Sequence, residues 1–345
     1  MEGLIYAGTD DGLIQVTEDG GKNWRKIEQF PNVPQYTYVT DVFASPRDVD
    51  TVFATLNNWQ RGDYTPYVVK STDRGRTWTN ITGNLPDRHD SWSIAQDHLN
   101  GDLLFVGTEF GLFTTVDGGR NWVALRGGAP MMQVRDMAVQ KRETDLVLAT
   151  FGRGFYVLDD YSALREITSA ALGEEMRLFP LRDAYLFNLV GQAPAGSAGV
   201  GRLSGLWSAS NPPFGAVFTY HVRESLPSDQ KLVLTITDDQ GRPVRRLDLD
   251  GAAGLRRVAW NLRADPPAQT DQGRGAEGRG AEGRGAEGRG AGRGDQQFGR
   301  GGGRGGPQGP LVEPGRYRAV LGKMSGDIVT PLGQPQTFAV IHIVQ

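Results

Sequence analysis

One eight-residue pattern, Ser/Thr-x-Asp-x-Gly-x-x-Trp, occurs three times in the first 122 residues of the chain and limits what that part can fold into. Thr17, Asp19, Gly21 and Trp24 are matched by Ser71, Asp73, Gly75 and Trp78, and again by Thr115, Asp117, Gly119 and Trp122. The spacing builds a hairpin corner. Glycine permits a positive φ, the carboxylate accepts backbone N–H groups across the turn, and the tryptophan opens the next strand with its ring over the hairpin.

A second repeat surrounds the first. TDVFASPRDVDTVFAT, SIAQDHLNGDLLFVGT and RDMAVQKRETDLVLAT align without gaps and end at Thr55, Thr108 and Thr150. Each joins two short apolar strands through a polar turn, and Asp41, Ile94 and Asp136 all stand 14 positions before the closing threonine. LIYAGT, ending at Thr9, is a further copy without its preceding strand. Closing threonines at 9, 55, 108 and 150 give a period of 42 to 53 residues. With about four strands per unit, that is the spacing of β-propeller blades. The last unit, ATFGRGFYVLDD, puts Asp159 and Asp160 where the corner should begin, but no Gly-x-x-Trp follows. The expectation is an all-β chain whose residues 1–165 form about three and a half blades. Since propellers usually close with four to eight, the missing blades of a longer parent protein are one expected partner.

The text changes after that. Residues 166–210 read as a connector, rich in Gly, Ala and Ser toward the end. Short strands then follow at 216–222, 231–237, 243–249, 255–262, 315–322 and 336–344. Their alternation predicts a β-sandwich of immunoglobulin or fibronectin type III character over 211–345. Residues 271–310 interrupt it with 17 glycines and seven arginines, including GRGAE at 273, 278 and 283. Such a tract cannot bury enough apolar area to offset its backbone entropy, so it is expected to be a disordered loop.

The sequence also excludes several functions. Net charge is -3, from 37 basic and 40 acidic residues, which gives no general attraction to nucleic acid or an anionic membrane. The chain has no cysteine, and its four histidines lack metal-ligand spacing, so no metal and no cofactor is indicated. No stretch approaches the roughly 20 apolar residues of a membrane span. Met1 runs directly into a strand, without the basic and apolar regions of a signal peptide.

The repeated corners, together with GTEFGLFTTVDGGRNW and ATFGRGFYVLDD, resemble bacterial secreted proteins of the sortilin-like, Asp-box (BNR) repeat class, often labelled glycosyl hydrolases. In that class a long propeller precedes a region similar to NPPFGAVFTYHV, WNLR and GPLVEPGRYRAVL. The resemblance implies an extracytoplasmic protein, periplasmic or secreted, and describes architecture better than activity.

For function, the corner aspartates read as turn stabilisers, because the turn itself uses their acceptors. Glycoside hydrolysis needs two facing carboxylates, and Glu109, Asp136 and Asp41 are the catalytic candidates, with Asp10 and Asp11 also at strand ends. Trp59, Tyr64 and Tyr67, with Arg135 and Arg153, form a candidate ligand surface. The leading expectation is a noncatalytic binding or scaffolding propeller for a protein or polysaccharide ligand. The alternative is an Asp-box glycoside hydrolase whose active site lies largely on missing blades.

Overall fold

A computed structural model describes residues 1–126, 130–187, 212–266, 309–326 and 328–343. These divide into two compact units, Met1–Ala171 and Leu172–Gln345.

The first unit holds four antiparallel sheets, each made of consecutive strands. Sheet A joins β1 (Ile5–Gly8), β2 (Ile14–Thr17) and β3 (Arg25–Ile27). Sheet B joins β4 (Tyr38–Ala44), β5 (Val52–Asn58), β6 (Asp63–Ser71) and β7 (Thr79–Asn80). Sheet C joins β8 (Ser91–Gln96), β9 (Leu104–Thr108), β10 (Gly111–Thr115) and β11 (Val123–Leu125). Sheet D joins β12 (Val134–Gln140), β13 (Asp145–Thr150) and β14 (Phe155–Leu158). Sheet A lacks the strand that opens B and C, and sheet D lacks the strand that closes them, as the incomplete first and last repeats imply.

Strand alternation gives each sheet two apolar faces, and neighbouring sheets bury them against each other. Ile14 and Val16 of A pack with Ala54, Leu56 and Val69 of B. Phe53 and Val68 on the other face of B meet Ile94, Leu104, Val106 and Phe113 of C. Phe105 and Leu112 on the far face of C meet Met137, Leu146 and Leu148 of D.

The repeated corner explains itself atom by atom. The hydroxyls of Thr17, Ser71 and Thr115 donate to Asp19, Asp73 and Asp117 at 2.8, 2.7 and 2.7 Å. The same hydroxyls accept the N–H of Gly21, Gly75 and Gly119. Each carboxylate takes two further backbone N–H bonds and one side-chain bond, for example from Arg120, Asn121 and Asn121 Nδ2 at 3.0, 2.9 and 2.7 Å. Donors from Asn23, backbone and side chain, hold Asp19 at about 2. Burial opposes the shift at Asp117, but bonds from Thr115, Asn121 and Arg120 outweigh it and hold that carboxyl at about 2. All three carboxylates are occupied in forming the turn.

Pairing also corrects the repeat register. A β-bulge interrupts β4 between Val39 and Asp41, β8 between Ser91 and Ser93, and β12 between Val134 and Asp136. Asp41 is therefore equivalent to Ser93 and Asp136, and Ile94 is one residue out of step. Thr55 stands where Gly8, Gly107 and Ala149 stand, facing Val68 as they face Ile14, Leu112 and Phe155. Gapless alignment misses this, because only the ladder locates the extra residue.

After β14, Tyr161 and a 3-10 turn at Ser162–Glu166 return to sheet C. Asp97 is buried there, holding Arg165 at 2.7 Å and the Tyr161 hydroxyl at 2.8 Å. A short helix, α1 (Ser169–Gly173), follows.

The second unit is a two-sheet β-sandwich. One sheet orders β15 (Met176–Leu178), β17 (Ala216–Val222) and β20 (Gly254–Trp260). The other orders β16 (Ala184–Leu186), β22 (Ile328–His342), β21 (Gly315–Ser325), β18 (Lys231–Asp238) and β19 (Pro243–Leu249), with β16 parallel to β22. Phe218 and Trp260 from the first sheet and Leu234, Tyr317 and Phe338 from the second fill the core between them. β15 and β16 lie inside the expected connector, so residues 176–186 are part of the sandwich. Residues 188–210 of that connector and 271–308 of the glycine-arginine tract lie outside the described residues. The flanks of the tract pair: Ala264 N–H donates to the Pro310 carbonyl at 3.0 Å and Val312 N–H to that of Leu262 at 2.9 Å. No helix among the described residues is long and apolar enough to cross a membrane.

Candidate functional site

Antiparallel order fixes where the side chains of interest gather. In sheets B, C and D the turns joining the second to the third strand emerge at the same end as the start of the first strand. Residues 57–63, 109–110 and 151–154, with the starts of β8 and β12, thus form one rim. Here the bulges act on function, because an extra residue re-aims its side chain. Thr40, Trp92 and Arg135 are the extra residues, and two of them meet: the Arg135 guanidinium lies 3.6 Å from the centroid of the Trp92 ring. The centroid of the Phe151 ring also lies 5.3 Å from it.

Hydrogen bonds lock that stack. Arg135 Nε donates to Gln133 Oε1 at 2.7 Å, Gln133 Nε2 donates to Glu109, and Trp92 Nε1 donates to Glu109 Oε2 at 3.1 Å. A planar cation on an aromatic face, with both members tied to a third group, is preorganised. At the same end of the sheets Trp59, Tyr64, Phe110 and Phe151 are exposed by 45, 49, 46 and 68%.

Beneath the rim lies a polar layer. Asp90, 3% exposed, accepts no hydrogen bond at Oδ1, and Asn57 Oδ1 and Ser91 Oγ are likewise buried without a partner among the described residues. Burial, with the charges of Glu109 and Asp63, pushes the Asp90 carboxyl up to about 6. Buried acceptors without donors favour something that brings hydroxyls or water to them.

The expected residues divide. Glu109 and Arg135 are at the centre of the rim cluster. Trp59 and Tyr64 are exposed there, whereas Tyr67 is buried. It is 7% exposed and donates to Asp63 at 2.8 Å, and burial with that bond pushes its hydroxyl up to about 12. Arg153 is exposed in the same turn as Phe151, between Gly152 and Gly154 at positive φ. Asp41 and Asp136 form a different grouping on the inner strands. Burial pushes Asp41 up to about 6, against the Ile94 N–H that it accepts at 3.0 Å, and Asp136 adds to the rise. Asp90, Trp92, Gln133 and Phe151 escape the sequence reading, since only the bulges reveal that positions 92 and 135 converge.

This fold class is a propeller-type arc of sheets followed by a β-sandwich. The curated proteins that it resembles are polysaccharide hydrolases. The chain is 27% identical over 132 residues to "Xyloglucanase Xgh74A" of Acetivibrio thermocellus, a match spanning 34% of this chain and 16% of that protein. It is 32% identical over 110 residues to a probable oligoxyloglucan-reducing end-specific xyloglucanase of Neosartorya fischeri, spanning 27% and 13%. The matched parts are thus a small fraction of those relatives. No family model matches. Among solved structures, the GH74 xyloglucanase from Xanthomonas campestris gives a TM-score of 0.37 at 13% identity over 96% of this chain and 44% of that one. YCF48 bound to D1 peptide gives 0.36 at 17% identity over 47% and 49%.

Proposed function

We propose that the first unit binds a polysaccharide along its rim and acts as a binding or scaffolding module, without requiring hydrolysis. The observation that carries this reading is the Trp92–Arg135–Phe151 stack tied to Glu109, with Trp59, Tyr64 and Phe110 exposed at the same end of the sheets. Aromatic faces stack on the apolar faces of sugar rings, and fixed carboxylates and amides accept sugar hydroxyls. Partial identity to xyloglucanases supports a β-glucan such as xyloglucan as the first ligand to try. The Asp-box resemblance supports a sortilin-like, extracytoplasmic protein with an immunoglobulin-like second unit. Affinity electrophoresis of the full chain through gels containing xyloglucan, mixed-linkage glucan, xylan or galactomannan tests the reading. Retardation by one glycan, lost in Phe151→Ala and Trp59→Ala, is expected. Equal mobility in all gels overturns it.

A second reading, glycoside hydrolysis, has one observation in its favour. Asp90 is held protonated to about pH 6 beside Glu109, and two carboxyls with different environments are what acid and base roles require. Its test is reducing-sugar release from the glycan that binds. Turnover abolished by both Asp90→Asn and Glu109→Gln would establish it, and binding without turnover leaves the module reading.

A further inference from the structure

The rim carries Arg61, Arg88, Arg135 and Arg153, all exposed. None of them forms an ion pair among the described residues, although Glu109 and Asp63 belong to the same rim. Those two carboxylates are engaged otherwise. Glu109 takes the Trp92 Nε1 and Gln133 side-chain donors, and Asp63 takes the Tyr67 hydroxyl and the Thr65 N–H. By contrast, Arg74 and Arg76 both pair with Glu18, and Arg165 pairs with Asp97.

Arg135 differs from the other rim arginines in being fixed between sheets C and D. The Trp92 ring takes its face at 3.6 Å, and Gln133 Oε1 takes its Nε at 2.7 Å, which sets the plane and one edge of the guanidinium. Nη1 and Nη2 donate to nothing among the described residues. An arginine stays charged at any working pH, and its two terminal nitrogens match the two oxygens of a carboxylate. A side chain already held in one orientation has little rotamer freedom left to lose on binding.

We infer that Arg135 is a carboxylate-binding subsite of the rim, so that the polysaccharide bound there carries uronic acid. This rests on the polysaccharide reading above and adds the ligand's charge to it. A carboxylate placed end-on against Nη1 and Nη2 forms the bidentate pair that the fold does not supply, beside the exposed Phe151 ring on which sugar can stack. A single negative charge suits the site, because Glu109 is bonded to the same Gln133 and repels any excess. Arg153, in the turn that carries Phe151, adds positive charge to the approach.

Affinity electrophoresis of the full chain through polygalacturonate, glucuronoxylan and the carboxyl-reduced form of each tests this. Stronger retardation by a carboxylated polymer than by its reduced form is expected. Arg135→Gln should weaken binding to that polymer by about ten- to hundredfold, the worth of a charge-assisted pair, and leave the weaker binding to the reduced form in place. Bulk attraction explains neither result, since the chain has a net charge of -3 and the variant keeps the seven arginines of the glycine-arginine tract. Arg135→Lys, which keeps the charge without the two-nitrogen face, is the second variant if the first misfolds, and it should lose most of the preference as well. Equal retardation by a polymer and its reduced form, or a preference that both variants keep, overturns the proposal. Retardation by neutral glycans alone overturns it and leaves the polysaccharide reading standing, whereas no retardation by any glycan removes both.

Discussion

Arg165→Met leaves Asp97 with a charge and no cation, and the cost can be worked from its surroundings. The Asp97 side chain is fully buried. Arg165 reaches it with Nη2 at 2.7 Å and Nε at 3.0 Å, and the Tyr161 hydroxyl and the N–H groups of Leu99 and Asn100 add bonds at 2.8, 2.8 and 2.6 Å. Breaking a buried pair by removing one partner costs about 3–5 kcal/mol. Three donors survive here, so about 2–3 kcal/mol is expected at pH 7. His98 lies 3.7 Å away, but burial lowers its pKa, so it does not replace the lost charge at pH 7. The pH dependence has a definite sign. Burial pushes Asp97 up, yet Arg165 and the N–H groups outweigh it, so its folded pKa is depressed. Its stabilisation is present above the unfolded pKa and is lost as pH falls through the folded one. Without Arg165 the balance passes to burial, and the variant's deficit should shrink from pH 7 toward pH 4. Urea denaturation of both proteins across that range, with hydrogen exchange at β8 as a local reading, measures it. A deficit below about 1 kcal/mol at pH 7, or one that does not change with pH, refutes the reasoning.

Asp41 gives the opposite sign. Its folded pKa is raised to about 6, so the charged form destabilises the fold at pH 7 and that penalty disappears as pH falls toward 4. Asp41→Asn, which keeps an acceptor for the Ile94 N–H, should stabilise by about 1–3 kcal/mol at pH 7 and by almost nothing at pH 4, read by chemical denaturation. Ser71→Ala removes the hydroxyl that serves Asp73 and the N–H of Gly75, at a cost of about 1–3 kcal/mol in the same assay. Gly107→Ala would put a methyl 2.4 Å from Ser93 Oγ and 2.6 Å from the Val134 carbonyl, so a loss of about 1–3 kcal/mol and a lower melting temperature are expected.

Legibility in the sequence followed the range of the interaction. The corners at Asp19, Asp73 and Asp117 are closed by residues within four positions of one another, so eight letters determine them. The strands of the second unit announce themselves by alternation, and 216–222 and 243–249 agree with the structure to the residue. β15 and β16 were hidden because three residues carry no period, and their pairing comes from β17 and β22, far along the chain. Glu109 and Arg135 could be chosen as individual residues near strand ends. Their shared site could not, because Trp92 and Arg135 meet only through bulges in separate sheets, 43 positions apart in the sequence.

The paired flanks of the glycine-arginine tract bear on how this gene can change. Leu262, Ala264, Pro310 and Val312 close the sandwich at the base of the insertion, so a gain or loss of copies alters only the length between two fixed points. Closure entropy grows with the logarithm of that length, about 0.6 kcal/mol per doubling. Selection on folding therefore has little hold on copy number, and close relatives of this chain should differ in the length of that tract while keeping the four residues that pin its ends.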